Sequence, residues 1–336
     1  MNVFELTRAL VDIESITENE GQAGEYLHGY LAKLAARSGG RVEKMAVEPG
    51  RFNVLAYWGE PLVTLSTHMD TVPPFFPSRE DAEFIWGRGA CDAKGIIAAM
   101  IGAAEKLLGE GAKNFGVLFV VGEERNSAGA TVAAKAPCGS KYLVNGEPTE
   151  NKLALASKGI LRFEVVASGR MAHSAYPELG ESAVEALLDA LEALRKVPLP
   201  KDALLGPCTM NIGTIAGGRA PNVIADAAKA EILVRVVGEP DPIREAFRRA
   251  VGKRAQLVEI LFIPAIRFHS IDGTPTTVVS FATDVPVFER SWGEPLLIGP
   301  GSIHVAHTSE ERISKKELSD AVEIYASVVK KLLAKA

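Results

Sequence analysis

Apolar residues recur along the first half of the chain in two alternating rhythms. Helical spacing marks residues 2–15 and 22–37, and short apolar runs mark strands over 41–47, 52–58 (FNVLAYW) and 62–67 (LVTLST). The stretch KGIIAAMIGAAEKLLGEG, 94–111, is apolar on most faces and closes on glycines, which predicts a buried helix. FGVLFVVGEE, 115–124, is a continuous apolar run ending in two glutamates, a pattern that suits a central strand. A small helix near 127–136 and the strand KYLVNGE, 141–147, complete the alternation. It predicts an α/β fold, a mostly parallel sheet with helices on both faces.

The rhythm changes after about residue 155. GILRFEVVASG reads as a strand, and SAVEALLDALEALRKV as a helix with Val184, Leu187, Leu188, Leu191 and Leu194 at helical spacing. CTMNIGTIAGG and NVIADAAKAEILVRVV read as strands, DPIREAFRRAVGK as a helix and QLVEILFIPA as a last strand. The order β-α-β-β-α-β is ferredoxin-like and spans 156–264. Residues 265–336 return to α/β character, with a final helix from Ser314 whose Glu317 predicts a capping box. Leu318, Val322, Tyr325, Val329 and Leu332 form its apolar stripe. The expected organisation is one domain, 1–155 plus 265–336, interrupted by the insert 156–264.

Composition narrows the class of partner. The 336 residues are 47% hydrophobic and 24% charged, with a formal net charge of −5. No basic block points to nucleic acid. Glu5, Arg8 and Asp12 interrupt the first helix, so no secretory signal is read there, and no apolar run reaches the ~18 residues of a membrane span. Cys91, Cys138 and Cys208 are widely spaced, which fits neither a disulfide framework nor a CxxC zinc site. A cytoplasmic location is expected.

Five segments carry unusual chemistry: H-M-D at 68–70, GRGACDAKG at 87–95, GEE at 122–124, NGEP at 145–148 and GPGSIHVAHTSEE at 299–311. Each sets His, Asp or Glu in a glycine-rich or strand-terminal context, and open α/β sheets build their sites at the C-terminal strand edge. Carboxylates converging there repel one another and are costly to desolvate unless cations sit among them. His68, Asp92, Glu124, Glu147 and His307 could hold two zinc ions with one carboxylate bridging and room for a water. Taken singly, each has a plainer reading. His68 could be a capped strand-end histidine, Asp92 the N-cap of the helix at 94, Glu123-Glu124 a solvated strand end and Glu147 a turn residue before Pro148. His304 and His307 could be one ligand and one bystander.

In order along the chain, "STHMDTVP", "GRGACDAKG", "VGEERNSAGA", "NGEPT" and "GPGSIHVAHTSEERI" resemble the dizinc aminoacylase and carboxypeptidase family. That family includes acetylornithine deacetylase, succinyl-diaminopimelate desuccinylase and glutamate carboxypeptidase, and the likeness runs over essentially the whole chain. The resemblance implies that His68 and Glu147 are terminal ligands of one zinc, Glu124 and His307 ligands of the other, and Asp92 the bridge. It implies Glu123 as general base, Asp70 as acceptor for the free ring nitrogen of His68, and a cis peptide after Asp92. It further implies that His173, in "GRMAHSAYP", reaches the site of a partner subunit, with the insert as lid and pairing surface of a homodimer. Asn222 in "GGRAPNVIAD" would orient substrate, Arg235 in "EILVRVV" would meet a substrate carboxylate, and Gly299 and Gly301 would let backbone approach substrate.

The activity so implied is release of an amino acid from an N-acyl-amino acid, most like acetylornithine or acetyllysine deacetylation, with zinc replaceable by cobalt or manganese. A dipeptidase or carboxypeptidase using the same site is the nearest alternative, and an inactive binding protein a distant one. No G-x-x-x-x-G-K-[ST] or G-x-G-x-x-G follows the first strand, which sets nucleotide binding aside. The chain departs from the family in being short and in having Ala93 where many members carry methionine. Cys91 reads as a small buried neighbour rather than a thiolate ligand. His173 packed on Tyr176, Arg235 paired with Glu231, and a plain tight GPG turn stay open as alternatives.

Overall fold

The computed structural model describes residues 1–288 and 290–335. The chain divides into two compact units. The first comprises Met1–Leu155, Phe268–Thr277 and the residues from Thr283 onward; the second comprises Ala156–Arg267 and Val278–Ala282. The return segment is therefore shared, where the hydrophobic pattern had given all of 265–336 to the first unit. Val278 packs with the partly buried residues around the second unit's core, a tertiary contact that local periodicity does not encode.

In the first unit a six-stranded sheet runs in the order 41–48, 51–58, 115–120, 63–68, 142–145, 294–297. The last four of these strands are parallel, and the 41–58 hairpin adds an antiparallel edge. Val63–His68 and Phe115–Val120 are buried at every position, as expected for strands covered on both faces. His68 lies in register with Val120, and Ser66 with Asn145, so three strands stop at one edge. The predicted strand 115–124 ends at Val120, which leaves Glu123 and Glu124 in the loop that follows.

The helix Lys94–Gly109 has the all-round burial its sequence predicts, from Ile96 and Ile97 to Ala104 and Leu107. Each fully buried isoleucine or leucine contributes about 1.5–3 kcal/mol, so this helix is held by burial rather than by an amphipathic surface. Its start is tucked in closely: a Cβ on Gly95 would stand 2.3 Å from the carbonyl oxygen of Ala90. The helix Lys315–Leu333 packs across it and buries Leu318, Tyr325, Val329 and Leu332. Ser314 accepts the Glu317 N–H, as a cap should, but the Glu317 carboxylate does not complete the box. It accepts the N–H of Gly301 at 2.7 Å instead and so holds the GPG turn. The first helix stops at Val11, short of the predicted 15, and is closed at its start by a capping box from Asn2 and Glu5.

The second unit has the predicted β-α-β-β-α-β order, as an antiparallel sheet 209–217, 227–236, 159–168, 256–263 with helices Ala183–Arg195 and Asp241–Val251. Burial alternates along Gly159–Ser168, placing Leu161, Phe163 and Val165 in a core with Leu187, Leu191 and Phe247. The opposite face carries Arg162, Glu164, Glu231 and Arg235. No helix among the described residues is long and apolar enough to cross a membrane.

Candidate metal centre

The strand edge of the first unit gathers the histidine and acidic segments. His68 ends its strand and is almost fully buried. Its Nδ1 donates to the carbonyl oxygen of Asp70 at 3.0 Å, with the Asp70 carboxylate farther off at 3.5 Å. A carbonyl can only accept, so in the neutral ring Nε2 keeps its lone pair and points it at Asp92 Oδ1, 2.9 Å away. The Asp70 carboxylate, besides facing His68, has a second task. It accepts the N–H groups of Glu123 at 3.0 Å and Glu124 at 3.2 Å, and the hydroxyl of Thr17 at 2.8 Å. It thus aims the paired-glutamate loop, while its backbone carbonyl aims His68.

Asp92 precedes the buried helix and does not cap it; its carboxylate faces the cluster. The Asp92–Ala93 peptide is cis, as the resemblance implies. Oδ1 of Asp92 meets His68, and Oδ2 stands 3.3 Å from Nε2 of His307, which also meets Glu124 Oε1 at 2.9 Å. One carboxylate is thereby divided between two histidines. His307 adopts φ 63°, a left-handed backbone that costs a non-glycine residue on the order of 1 kcal/mol or more. His304 is exposed, and among the described residues its ring makes no ion pair with the cluster.

Ligand atoms of His68, Asp92 and Glu124 all lie within 4.8 Å of one another, a set that could hold a metal ion. Glu147 is buried beyond Asn145, and its Oε1 has no hydrogen-bond partner among the described residues. A buried carboxylate oxygen left without a donor fits a cation in that place.

Protonation reports the same need. Burial pushes the carboxyl pKa of Glu123 and Glu147 well above the usual range, reinforced at Glu123 by Glu147 and at Glu147 by Asp92. Burial and the charge of Asp92 also raise Glu124, against the hydrogen bond from His307. At Asp92 burial acts upward but is outweighed by the two histidines, which hold the carboxyl low. Hydrogen bonds to Asp92 and Glu124 lift His307 to about 10. At His68 burial acts downward, yet the hydrogen bonds with Asp70 and Asp92 raise it well above its ordinary value. Protons therefore supply the positive charge in this cluster, which divalent cations would replace.

Three participants carry no local signal in sequence. Asp284 is buried, neither of its carboxylate oxygens has a hydrogen-bond partner among the described residues, and burial lifts its pKa to about 7. Ser127 acts against that shift, and Asp284 in turn acts on Glu123 and Glu147. Thr17 supports Asp70, and Glu311 holds the backbone of Gly89, Cys91 and Asp92. The Cys91 thiol is buried, donates to the Ser302 carbonyl at 3.5 Å and is raised in pKa by burial, so it is no thiolate.

The glycines of the GPG turn fit closely against their surroundings. A Cβ on Gly299 would stand 2.5 Å from the Glu147 carbonyl oxygen, and one on Gly301 2.6 Å from Cys91 Sγ. Gly301 also has φ +87°. At both positions the missing side chain makes room for neighbouring protein atoms.

The insert places its three named residues at two ends of its sheet. His173 forms an isolated bridge with Val223, and Ser174 N–H donates to the Asn222 carbonyl at 3.0 Å, so the His173 and Asn222 loops lie side by side, both exposed. His173 stands edge-on to Tyr176, and its Nδ1 accepts the Ala175 N–H at 3.1 Å. In the neutral ring this leaves Nε2 as the N–H donor. Arg235 pairs in register with Ile160, at the far end from the Ser168–Ala227 pair. Eight residues of strand span roughly 26 Å. Arg235 makes no ion pair among the described residues; Glu231 pairs with Arg162 at 3.4 Å.

A mixed, mainly parallel α/β sheet whose strand ends bear a shared carboxylate, two histidines and further buried acids defines a metal-dependent hydrolase. The profile of peptidase family M20/M25/M40 matches residues 64–331, and the chain belongs to that family. A peptidase M20 domain-containing protein of Schizosaccharomyces pombe is 39% identical, over 98% of this chain and 84% of its own length. A probable carboxypeptidase of Aspergillus clavatus is 35% identical, over 98% of this chain and 88% of its own. Among solved structures, aminopeptidase PepT from Bacillus cereus superposes with a TM-score of 0.80 at 20% identity, covering 99% of this chain and 98% of that one, a likeness of fold.

Proposed function

We propose that the protein releases a free amino acid by hydrolysing the amide bond to its amino group, in short peptides or N-acyl-amino acids. The observation that carries this reading is the Asp92 carboxylate, divided between His68 on one side and His307 with Glu124 on the other, beside the half-buried Glu123. His68, Asp92 and Glu147 would hold one ion and Asp92, Glu124 and His307 the other. Zinc suits this mixture of imidazole and carboxylate, with cobalt or manganese as substitutes. Bound there, the ions supply an acidified water and a polarised carbonyl.

The protein's own groups do the rest. Glu123, held beside the cluster by the Asp70 carboxylate, takes a proton from the water and delivers it to the leaving amine. Asp70 fixes the position of Glu123 through its backbone N–H. His173, with Nδ1 occupied by Ala175, offers Nε2–H to the carbonyl oxygen as it gains charge. Arg235, without a carboxylate of its own, binds the substrate carboxylate in a two-pronged pair. One copy of the insert cannot bring groups some 26 Å apart along a strand to one small substrate, so using both calls for two chains, a homodimer.

The fungal relatives named probable carboxypeptidase support peptides, and the resemblance to the wider family keeps N-acetylornithine and N-acetyllysine beside them as candidates. Both present the same bond next to a free carboxylate. Metal-stripped protein assayed with and without zinc on dipeptides, N-acetylornithine, N-acetyllysine and N-succinyl-diaminopimelate separates them. Zinc-dependent release of amino acid from any of these sustains the reading, and the preferred substrate names the branch. Two bound ions with no turnover on the whole panel would sink it.

A further inference from the structure

Glu311 lies four residues beyond His307 and is wholly buried. Its Oε1 accepts three backbone N–H groups, from Gly89 at 2.9 Å, Asp92 at 3.1 Å and Cys91 at 3.2 Å. Its Oε2 accepts Arg88 Nη1 at 2.5 Å, and its own carbonyl oxygen accepts the Gly87 N–H at 3.1 Å. Arg88 is equally buried, and its Nε donates to the Pro74 carbonyl at 3.2 Å. The turn 87–92 is thus wrapped around one carboxylate, a concave arrangement of N–H groups of the kind that binds anions.

This wrapping has a direction. The three N–H groups end on Asp92, whose side chain must split its oxygens between His68 and His307. Glu311 and His307 share one short segment, so the same stretch of chain sets the position of a histidine and of the carboxylate facing it. A displaced Asp92 backbone would turn its carboxylate toward one histidine and away from the other. Glu311 touches neither the donor atoms nor the space for substrate; it acts through Asp92.

We propose that Glu311 is a positioning residue for the two-metal arrangement, holding the 87–92 turn so that Asp92 can serve both ions. The proposal rests on the metal reading given above. Glutamine in its place keeps the volume but sets an NH2 group either against the Arg88 guanidinium or against the three N–H groups. Loss of a buried acceptor on this scale, at groups that orient a ligand, weakens metal binding by about tenfold or more.

The test compares wild type, Glu311→Gln and Glu311→Asp after metal removal, titrating cobalt(II) and recording its visible absorption and dissociation constants. Trp58→Phe, a core change at a residue whose Nε1 donates to Ser38, controls for general loss of stability. Expected is an altered cobalt spectrum and an approximately tenfold weaker affinity in Glu311→Gln, a smaller loss in Glu311→Asp, and neither in Trp58→Phe at a matched drop in Tm. Affinity and spectrum unchanged in both Glu311 variants, with only Tm reduced, would overturn the proposal and leave the residue structural. If Glu311→Gln does not fold, Glu311→Asp decides by the same readings. Wild-type protein that takes up no divalent ion would instead remove the metal reading itself.

Discussion

The two units handle their polar groups in opposite ways. In the first, His68, Asp70, Asp92 and Glu311 are buried, and each is fixed by hydrogen bonds from several segments. In the second, His173 and Asn222 are exposed, and Arg235 has no ionic partner among the described residues. Buried charge must be satisfied internally, which makes the metal cluster preorganised. In the insert His173 spends only Nδ1, on the Ala175 N–H, and Arg235 has no ion pair among the described residues, as suits residues that complete a site only when something else arrives.

Removing metal tests the first unit most severely. Dialysis against a strong chelator should abolish turnover, and added zinc should restore it; activity that survives complete metal loss would break the comparison outright. Next in size is Glu123→Gln, expected to lower kcat by about 10³-fold with metal content unchanged. Loss of metal along with activity would place Glu123 among the ligands.

His173→Ala should lower kcat by about 10²-fold while leaving metal affinity intact. Mixing it with Glu123→Gln subunits sharpens the point. If His173 serves a partner, each mixed dimer has one complete site, and random exchange restores about a quarter of wild-type activity. No recovery after demonstrated subunit exchange would confine His173 to its own chain. Arg235→Met should raise KM roughly tenfold with a smaller change in kcat, because it removes a charged hydrogen bond made in substrate and transition state alike.

The smallest effect is on stability. Raised carboxyl pKa values at Glu123, Glu124, Glu147 and Asp284, with raised imidazoles at His68 and His307, make the folded metal-free protein bind more protons than the unfolded chain. Its stability should therefore fall as pH rises from about 5 to 7, by a few degrees in Tm. Asp70 and Asp92, held low, titrate below that window, and Lys94, brought down by burial to about 7, acts only above it. Calorimetry with and without zinc checks this, since bound cations should flatten the slope.

The helices and strands of the first unit were legible because burial on both faces leaves continuous apolar runs, and those of the insert because one-sided burial leaves alternation. The histidines and carboxylates that meet in one cluster were legible as well, since their segments carry strand ends or glycine-rich turns. Glu311 was not: within "SEER" it reads as surface charge, and only a turn some 220 residues earlier gives it a buried role. Asp284 in "TDVP" likewise resembles an ordinary turn residue until its surroundings close over it. Gly299 and Gly301 were legible only in part, for a related reason. A missing side chain announces a close approach without naming what approaches.

The spread of the cluster along the chain has a consequence for biosynthesis. His68, Asp92, Glu124 and Glu147 leave the ribosome before the insert, and His307 and Glu311 only after it. At about 5–20 residues per second the interval is on the order of tens of seconds. Throughout that time the nascent chain carries one histidine and three acids without their closing partner. The helix 315–333, which covers the helix behind Asp92, is later still. A centre of the proposed kind is therefore completed only once His307 has emerged, and a translation product truncated before that residue lacks the group.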